Sequence, residues 1–405
     1  MNVEYDVIGY GEGLSVLFSC AILAGKGLKC LWVDTKPIKQ GAVLWDDMPL
    51  ILTRTFFHEI LAPVVKILDP HMARSLSSDE VDSIQLISSS DDKTSEHLVA
   101  TCDIKDSKKM SRRYFSLLSK SLHRPRVYLR ELRSDAVSGD HWTRSVGWAL
   151  STFEACRMAH MKALVSMQGM SIVEHGWIKS QLKTFLQRRQ NKCLEDPEAG
   201  LIADGSSVLG LRLNDGIHTG YALITENPPE QRPYKGFHFL GQCRVRVGML
   251  PKGLGDLVIV DPPEELKYPI LLRVSRSLDN PKISIQTRVN IEPGLNSNTE
   301  IISWASGMIS KKLSRVMPYL SPTLQSLEVV NPLSNDTIRP WFGFSDDIRS
   351  PSLFGWKCYI TPHERLFASD RDKYACLGSD GDFFWGICIA NAVLKKFGRS
   401  DLISL

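Results

Sequence analysis

The segment "EYDVIGYGEGLSVLFSCAILAGKGLKCLWVDT", Glu4 to Thr35, constrains the fold more than any other part of the chain. Tyr5 to Tyr10 is short, apolar and rich in strand formers, and it runs into Gly11-Glu12-Gly13. Leu14, Leu17, Phe18 and Ala21 then recur at i, i+3, i+4 and i+7, which predicts a helix with a buried face. Gly27 ends that helix. Lys29 to Val33 reads as a second strand, and Asp34 sits at its end. Strand, glycine bend, helix, strand and acid, with the acid about 20 residues past the bend, is the start of a dinucleotide-binding unit. Each residue type has a task there. Glycines let backbone amides approach a pyrophosphate, the helix N-terminus favours its negative charge, and the carboxylate accepts hydrogen bonds from a ribose.

Three residues run against this chemistry. Val16 occupies the third glycine position, where its bulk is expected to push the helix off the strand. Glu12 places a carboxylate beside the expected phosphates. Gly9 lies inside the first strand, where it weakens pairing. Together they support the alternative of a βαβ unit that holds no ligand.

Composition narrows the class. A chain of 405 residues has room for two or three ordinary domains. The net charge of +4 is too small to argue for nucleic acid, and no nucleic-acid partner is expected. The nine cysteines are dispersed without a CxxC pair, which points to reduced thiols in a cytoplasmic protein and to no metal site. No apolar run reaches the roughly 18 residues of a membrane span. The N-terminus lacks the basic stretch of a signal peptide. GxSxG, HExxH and GK[ST] phosphate-loop motifs are absent.

Further along, "TKPIKQGAVLW" follows the acid, and its Gly41 is a candidate for a second close backbone approach. Phe56 to Leu68 reads as an amphipathic helix. Ile84–Ile87 and His97–Ile104 read as short strands joined by the Ser/Asp-rich loop "SSSDDKTSE". Lys108 to Arg133 is strongly basic, which fits a solvated helix face or a membrane-surface patch. Trp142 to Met167 reads as a helix. Glu174 to Gln190 carries Ile178, Leu182, Phe185 and Leu186 at helical spacing. Gly200 to Asn227 reads as short strands with turns at Asp204-Gly205 and Asp215-Gly216. A β-rich block follows "PPEQRP", helices resume at Thr299 to Tyr319, and the end reads as strand "KYACLGSD", an acidic glycine turn and a helix from Gly386 to Phe397.

In order and spacing, these pieces resemble the two-domain FAD-dependent oxidoreductases of the phytoene desaturase and amine oxidase superfamily. The opening segment aligns with that family's first βαβ unit. "HGWIKSQLKTFLQRRQ" resembles its helix after a glycine pair, here His175-Gly176. "DGSSVLGLRLNDGIHTGYALITEN" is similar to its meander and return strand, and "YACLGSDGDFFWGICIANAVLKKFG" to its C-terminal flavin segment. The resemblance implies an α/β fold: an FAD/NAD(P)-binding Rossmann-like domain from residues 1–70, 155–228 and 335–405, with an inserted α+β substrate domain from 71–154 and 229–334. It implies FAD as cofactor, with Gly11, Gly13, Asp34, Gly41, Asp380 and Gly386 as its contacts, and an apolar or amine-bearing small-molecule substrate between the domains. No catalytic side chain is assigned; His175 and Trp177 are candidates by position alone, and a structural role in the core is the simpler account of each. The opening segment also resembles the Rab GDP-dissociation inhibitors and Rab escort proteins, which share the superfold. They too have a YDVI strand, a GxGL bend, a non-glycine third position and an acid after the second strand. They bind no flavin and hold prenylated small GTPases, which makes a protein partner or a peripheral membrane the alternative expectation.

Overall fold

The computed structural model describes residues 4–35, 49–100 apart from 82, 91 and 92, 170–225 apart from 205 and 206, 236–329 apart from short breaks, 340–341, 365–368 and 379–404. Gly41, the basic segment Lys108–Arg133, the helix expected at Trp142–Met167 and the strand residues Lys373–Gly378 lie outside the described residues.

The opening unit forms as its sequence dictates. Strand β1 (Tyr5–Tyr10), helix α1 (Leu14–Gly25) and strand β2 (Cys30–Asp34) follow in order, and β1 pairs with β2 in parallel. After β2 come β3 (Pro49–Thr53), a helical turn, a π turn (Phe57–Leu61) and α2 (Ala62–Leu68). The sequence reads Phe56 to Leu68 as one amphipathic helix, and the chain is helical without a break from Arg54 to Leu68, with a π turn inside it. Strands β4 (Asp79–Val81), β5 (Ser83–Ser90) and β6 (Lys93–Ala100) follow. The segment expected to be a loop between β5 and β6 is strand almost throughout, paired from Ser83↔Ala100 to Ser90↔Lys93. Serine and threonine alternation satisfies a ladder as well as a loop, and only the pairing partner decides.

The chain continues through β7 (Met170–Glu174), α3 (His175–Arg188), β8 (Lys192–Glu195), β9 (Gly200–Asp204), β10 (Ser207–Leu213) and β11 (Gly216–Thr225). One sheet has the order β8-β2-β1-β11-β10-β9. Strand β1 also pairs in parallel with β11, and β2 with β8. The outer edge of β11 is shared. Its first half pairs with β10, and its second half pairs in parallel with a late strand, Leu366–Ala368.

A second sheet gathers β5 and β6 with β12 (Gly236–Arg244), β13 (Leu257–Val260), β14 (Ile270–Ser275) and β15 (Lys282–Asn290), and its core packs on α4 (Asn298–Val316) through Ala305, Ile309 and Leu313. Only the β13–β5 pairing there is parallel among β5, β6 and β12–β15. Strands β3, β7 and β4 form a small third sheet. The last helix, α5 (Ser379–Lys396), begins seven positions before the expected Gly386, because Asp380 and Asp382 lie in its first turn and not in a preceding bend.

The main core surrounds α1, on which every residue from Leu14 to Ala24 is buried. A helix that is apolar on all sides has to be covered on all sides. Sheet residues such as Val7, Trp32 and Ala222 line one flank, and α5, α3 and α2 cover the others. Val16 does not push α1 off the sheet. A Cβ added at Gly9 would lie 3.0 Å from Val16 Cγ1 and would collide with Cys20 Sγ. The small residue needed at this crossing has moved from the helix to the strand, and Gly9 supplies it. At the opposite edge of β1, His218 on β11 places Nδ1 2.8 Å from Glu4 and Nε2 2.9 Å from Asp215. A carboxylate on each nitrogen favours the doubly protonated ring. Burial lowers its pKa, but the hydrogen bonds and charges of Asp215 and Glu4 outweigh that and raise it above 6.5.

Two outcomes follow from this packing. Gly9→Ala is expected to destabilise the protein by about 1–3 kcal/mol in chemical denaturation, with partial recovery when combined with Cys20→Ala. His218 has a folded pKa above its unfolded one, so its contribution is full below pH 6.5 and is lost as pH rises through the raised value. Replacing it with Gln should therefore lower the unfolding midpoint at about pH 6 and leave it nearly unchanged at about pH 9.

Candidate functional site

The bend between β1 and α1 is the natural place to look for a ligand. Gly11 adopts φ 138°, a conformation that strongly favours glycine, and its N–H donates to Val33 O at 3.1 Å. Gly13 caps α1 in an extended conformation (φ −82°, ψ 153°) without a side-chain cap, and no acid stands in the first turn. The bend thus has the backbone form that accepts a phosphate. Gly11, Gly13, Leu14 and Ser15 are nevertheless buried, and Glu12 is half-buried.

The carboxylate at the end of β2 is engaged by the protein itself. Asp34 is 2% exposed, and its Oδ2 lies 2.9 Å from Nζ of Lys179. Lys179 is equally buried, at 3%. Lys183, one helical turn further along α3, reaches the same oxygen at 3.4 Å and Glu195 on β8 at 3.2 Å. Both ammonium groups stand over the ring of Trp32, at 5.7 and 4.9 Å from its centroid. For Lys183, burial lowers the pKa and the charges and hydrogen bonds of Asp34 and Glu195 more than reverse it, so the group stays a cation. The lysine pair was readable in principle. His175, Lys179, Leu182 and Leu186 share the spacing of one helix face, and a lysine on a buried face needs an acid partner.

Asp380 is likewise engaged. It is fully buried and accepts hydrogen bonds from the Thr53 backbone N–H at 2.9 Å and hydroxyl at 2.7 Å. The same hydroxyl oxygen accepts from Phe56 N–H at 3.2 Å, so one threonine starts the helical turn after β3 and fastens it to α5. Gly386 lies inside α5 at its crossing with α1. A Cβ there would stand 3.0 Å from Ser15 O and 3.1 Å from Phe18 Cδ1, and its carbonyl accepts from the Ser19 hydroxyl at 3.0 Å. His175 is buried at the start of α3, and Trp177 packs at the margin of the main core. Of the expected cofactor contacts, the structure brings Gly11, Gly13 and Asp34 together at one bend and places Asp380 and Gly386 along the α5 face.

Cysteine chemistry adds no reactive group here. Burial pushes the Cys20 and Cys30 thiols well up and that of Cys193 up to about 11. Among the described residues, no group of three His, Cys, Asp or Glu side chains is placed to hold a metal ion, and no helix is long and apolar enough to cross a membrane.

No family model matches the chain, and no curated protein matches it by sequence. Solved structures do match its fold. An oxidoreductase from Methanosarcina mazei shares 12% identity over 97% of this chain and 100% of its own, with a TM-score of 0.52. The p-nitrophenol 4-monooxygenase PnpA from Pseudomonas putida shares 9% identity over 99% of this chain and 82% of its own, with a TM-score of 0.50. A Rab GDI from Plasmodium falciparum overlaps more loosely, at 13% identity over 76% of this chain and 87% of its own, with a TM-score of 0.45. The fold is therefore the FAD-binding Rossmann-like one accompanied by a second, substrate-type domain. The likeness is to the superfold and does not select the phytoene desaturase and amine oxidase branch.

Asp34, the expected ribose carboxylate, is held by the protein's own cation in the ligand-free chain. It would reach a ribose only on release from the buried ammonium group of Lys179. Lys179→Met, which leaves Asp34 with the more distant Lys183, is expected to cost about 2–3 kcal/mol of stability, whereas the double change Asp34→Asn with Lys179→Met should cost less. Urea denaturation of the two single variants and the double variant reads the coupling directly.

Proposed function

We propose that this chain is a binding protein built on the flavoprotein fold, without a resident flavin and without redox chemistry of its own. The observation that carries this reading is the buried pair of Lys179 and Asp34, with 2.9 Å between charges where a dinucleotide's ribose would have to bind. Thr53 uses Asp380 in the same way at the other acidic position. Both carboxylates serve as internal fasteners between elements.

The partner class is supported by sequence. The opening YDVI strand, the GxGL bend, the non-glycine Val16 and the closing Asp34 are the features this chain has in common with the Rab GDP-dissociation inhibitors and escort proteins. By that resemblance the candidate partner is a lipid-modified small GTPase.

A second reading has its own support. The fold follows the Methanosarcina mazei oxidoreductase over 97% of the chain, and Gly11 and Gly13 keep the form of a phosphate-binding bend. On that reading the chain is an FAD-dependent oxidoreductase acting on an apolar or amine-bearing small molecule. It requires Lys179 to give up Asp34 when the cofactor enters.

Titrating the purified protein with FAD separates the two. The expected result is no change in flavin absorbance or fluorescence and no rise in unfolding temperature; stoichiometric, tight flavin binding would overturn the non-redox reading and restore the enzyme. Gel filtration with a geranylgeranylated small GTPase and with its unmodified form tests the partner class. Co-elution with the lipid-modified form alone is the expected outcome, and co-elution with neither removes that class.

A further inference from the structure

Four helices end at one pole of the first sheet, on the side where β1 and β2 begin. Contacts between chain-distant residues fix this arrangement. Asn191, just past α3, accepts the N–H of Cys30 at the start of β2. Lys26, at the end of α1, pairs with Asp401 beyond α5. Arg188 pairs with Asp69 beyond α2, and a Cβ at Gly25 would touch both Leu68 of α2 and Phe185 of α3.

The pole is basic beyond what the helix ends require. A helix C-terminus favours a cation within its last turn, yet Lys29, Lys192 and Arg399 all lie past the helices. Of the nearby acids, Asp401 serves both Lys26 and Arg399, Asp69 serves Arg188, Asp6 accepts the Lys29 N–H, and Glu4 and Asp215 flank His218. Lys66, Arg189, Lys192 and Lys395 are exposed and form no ion pair among the described residues. Ile67, next to Lys66 in the last turn of α2, is at 62% the most exposed large apolar side chain of the described residues. It contributes nothing to either core. An exposed branched aliphatic group on the same pole as exposed cations on long stems suits the boundary between phospholipid headgroups and acyl chains. Cations drawn from three separate helix ends sense charge density rather than the shape of one ligand.

We propose that this pole docks on an anionic membrane surface, with Lys66, Arg189, Lys192 and Lys395 at the level of the headgroups and Ile67 as the apolar contact. The docking needs neither a flavin nor a protein partner, so it stands or falls apart from the functional reading above.

The test is cosedimentation of the full chain with vesicles of phosphatidylcholine alone and with added phosphatidylserine. Binding is expected only with phosphatidylserine, and it should vanish by about 0.5 M salt. At roughly fivefold per cation, the R189A/K192A/K395A variant should bind about a hundredfold more weakly. I67S should weaken binding a few-fold, and both variants should keep the wild-type unfolding midpoint. Absence of phosphatidylserine-dependent binding overturns the proposal. So does a triple variant that binds like wild type, which would move the contact to another segment such as Lys108–Arg133. Retention on heparin without vesicle binding also overturns it, in favour of a soluble polyanion.

Discussion

The ion pair between Asp34 and Lys179 sets what this architecture can do. Two charges inside an apolar core are tolerated only because each supplies what the other lost from water. That mutual need joins β2 to α3 in a single geometry, and α3 leads directly into β8, the next strand of the sheet. Trp32 lies beneath both ammonium groups, and Glu195 holds the second of them. A small charged cluster thus closes one end of a unit whose backbone still has the outline of a nucleotide cradle. In the ligand-free chain the Asp34 carboxylate is taken by the neighbouring helix.

The same redistribution recurs in the apolar core. A glycine is needed wherever a helix and strand approach closely, but the physics does not say on which element it must sit. Gly9 takes the role on the strand, and Val16 and Cys20 fill the room it leaves. Read one position at a time, Val16 is a defect and Gly9 a weakness. In contact they form one well-packed crossing.

That contrast explains what was legible in the sequence. The first βαβ unit could be read almost to the residue, because its periodicity, its bend and its closing acid are local. The meander from Gly200 and the sheet-rich block after it were legible for the same reason. The course of β5 into β6 was not, since a polar segment becomes a strand only when a partner strand lies beside it. Nor was the start of α5. "LGSDGDFF" has the composition of a turn, and only Thr53, more than three hundred positions earlier in the chain, makes its acids part of a helix. The fate of Asp34 was half-legible: Lys179 on the buried face of α3 announced a hidden acid, but nothing local said which one.

The crossing of α1 and α5 has a consequence for how the molecule is made. Ser19 donates to the carbonyl of Gly386, 367 positions away, and Phe18 meets Phe383 edge-on with ring centroids 5.3 Å apart. While a ribosome is still building the middle of the polypeptide, α1 has emerged and the surface it must rest against does not yet exist. At the usual pace of some 5–20 residues per second, tens of seconds pass before it does. Through that interval one of the most apolar stretches of the chain lacks the late helix that will cover it, so exposure to aggregation is greatest before synthesis is complete.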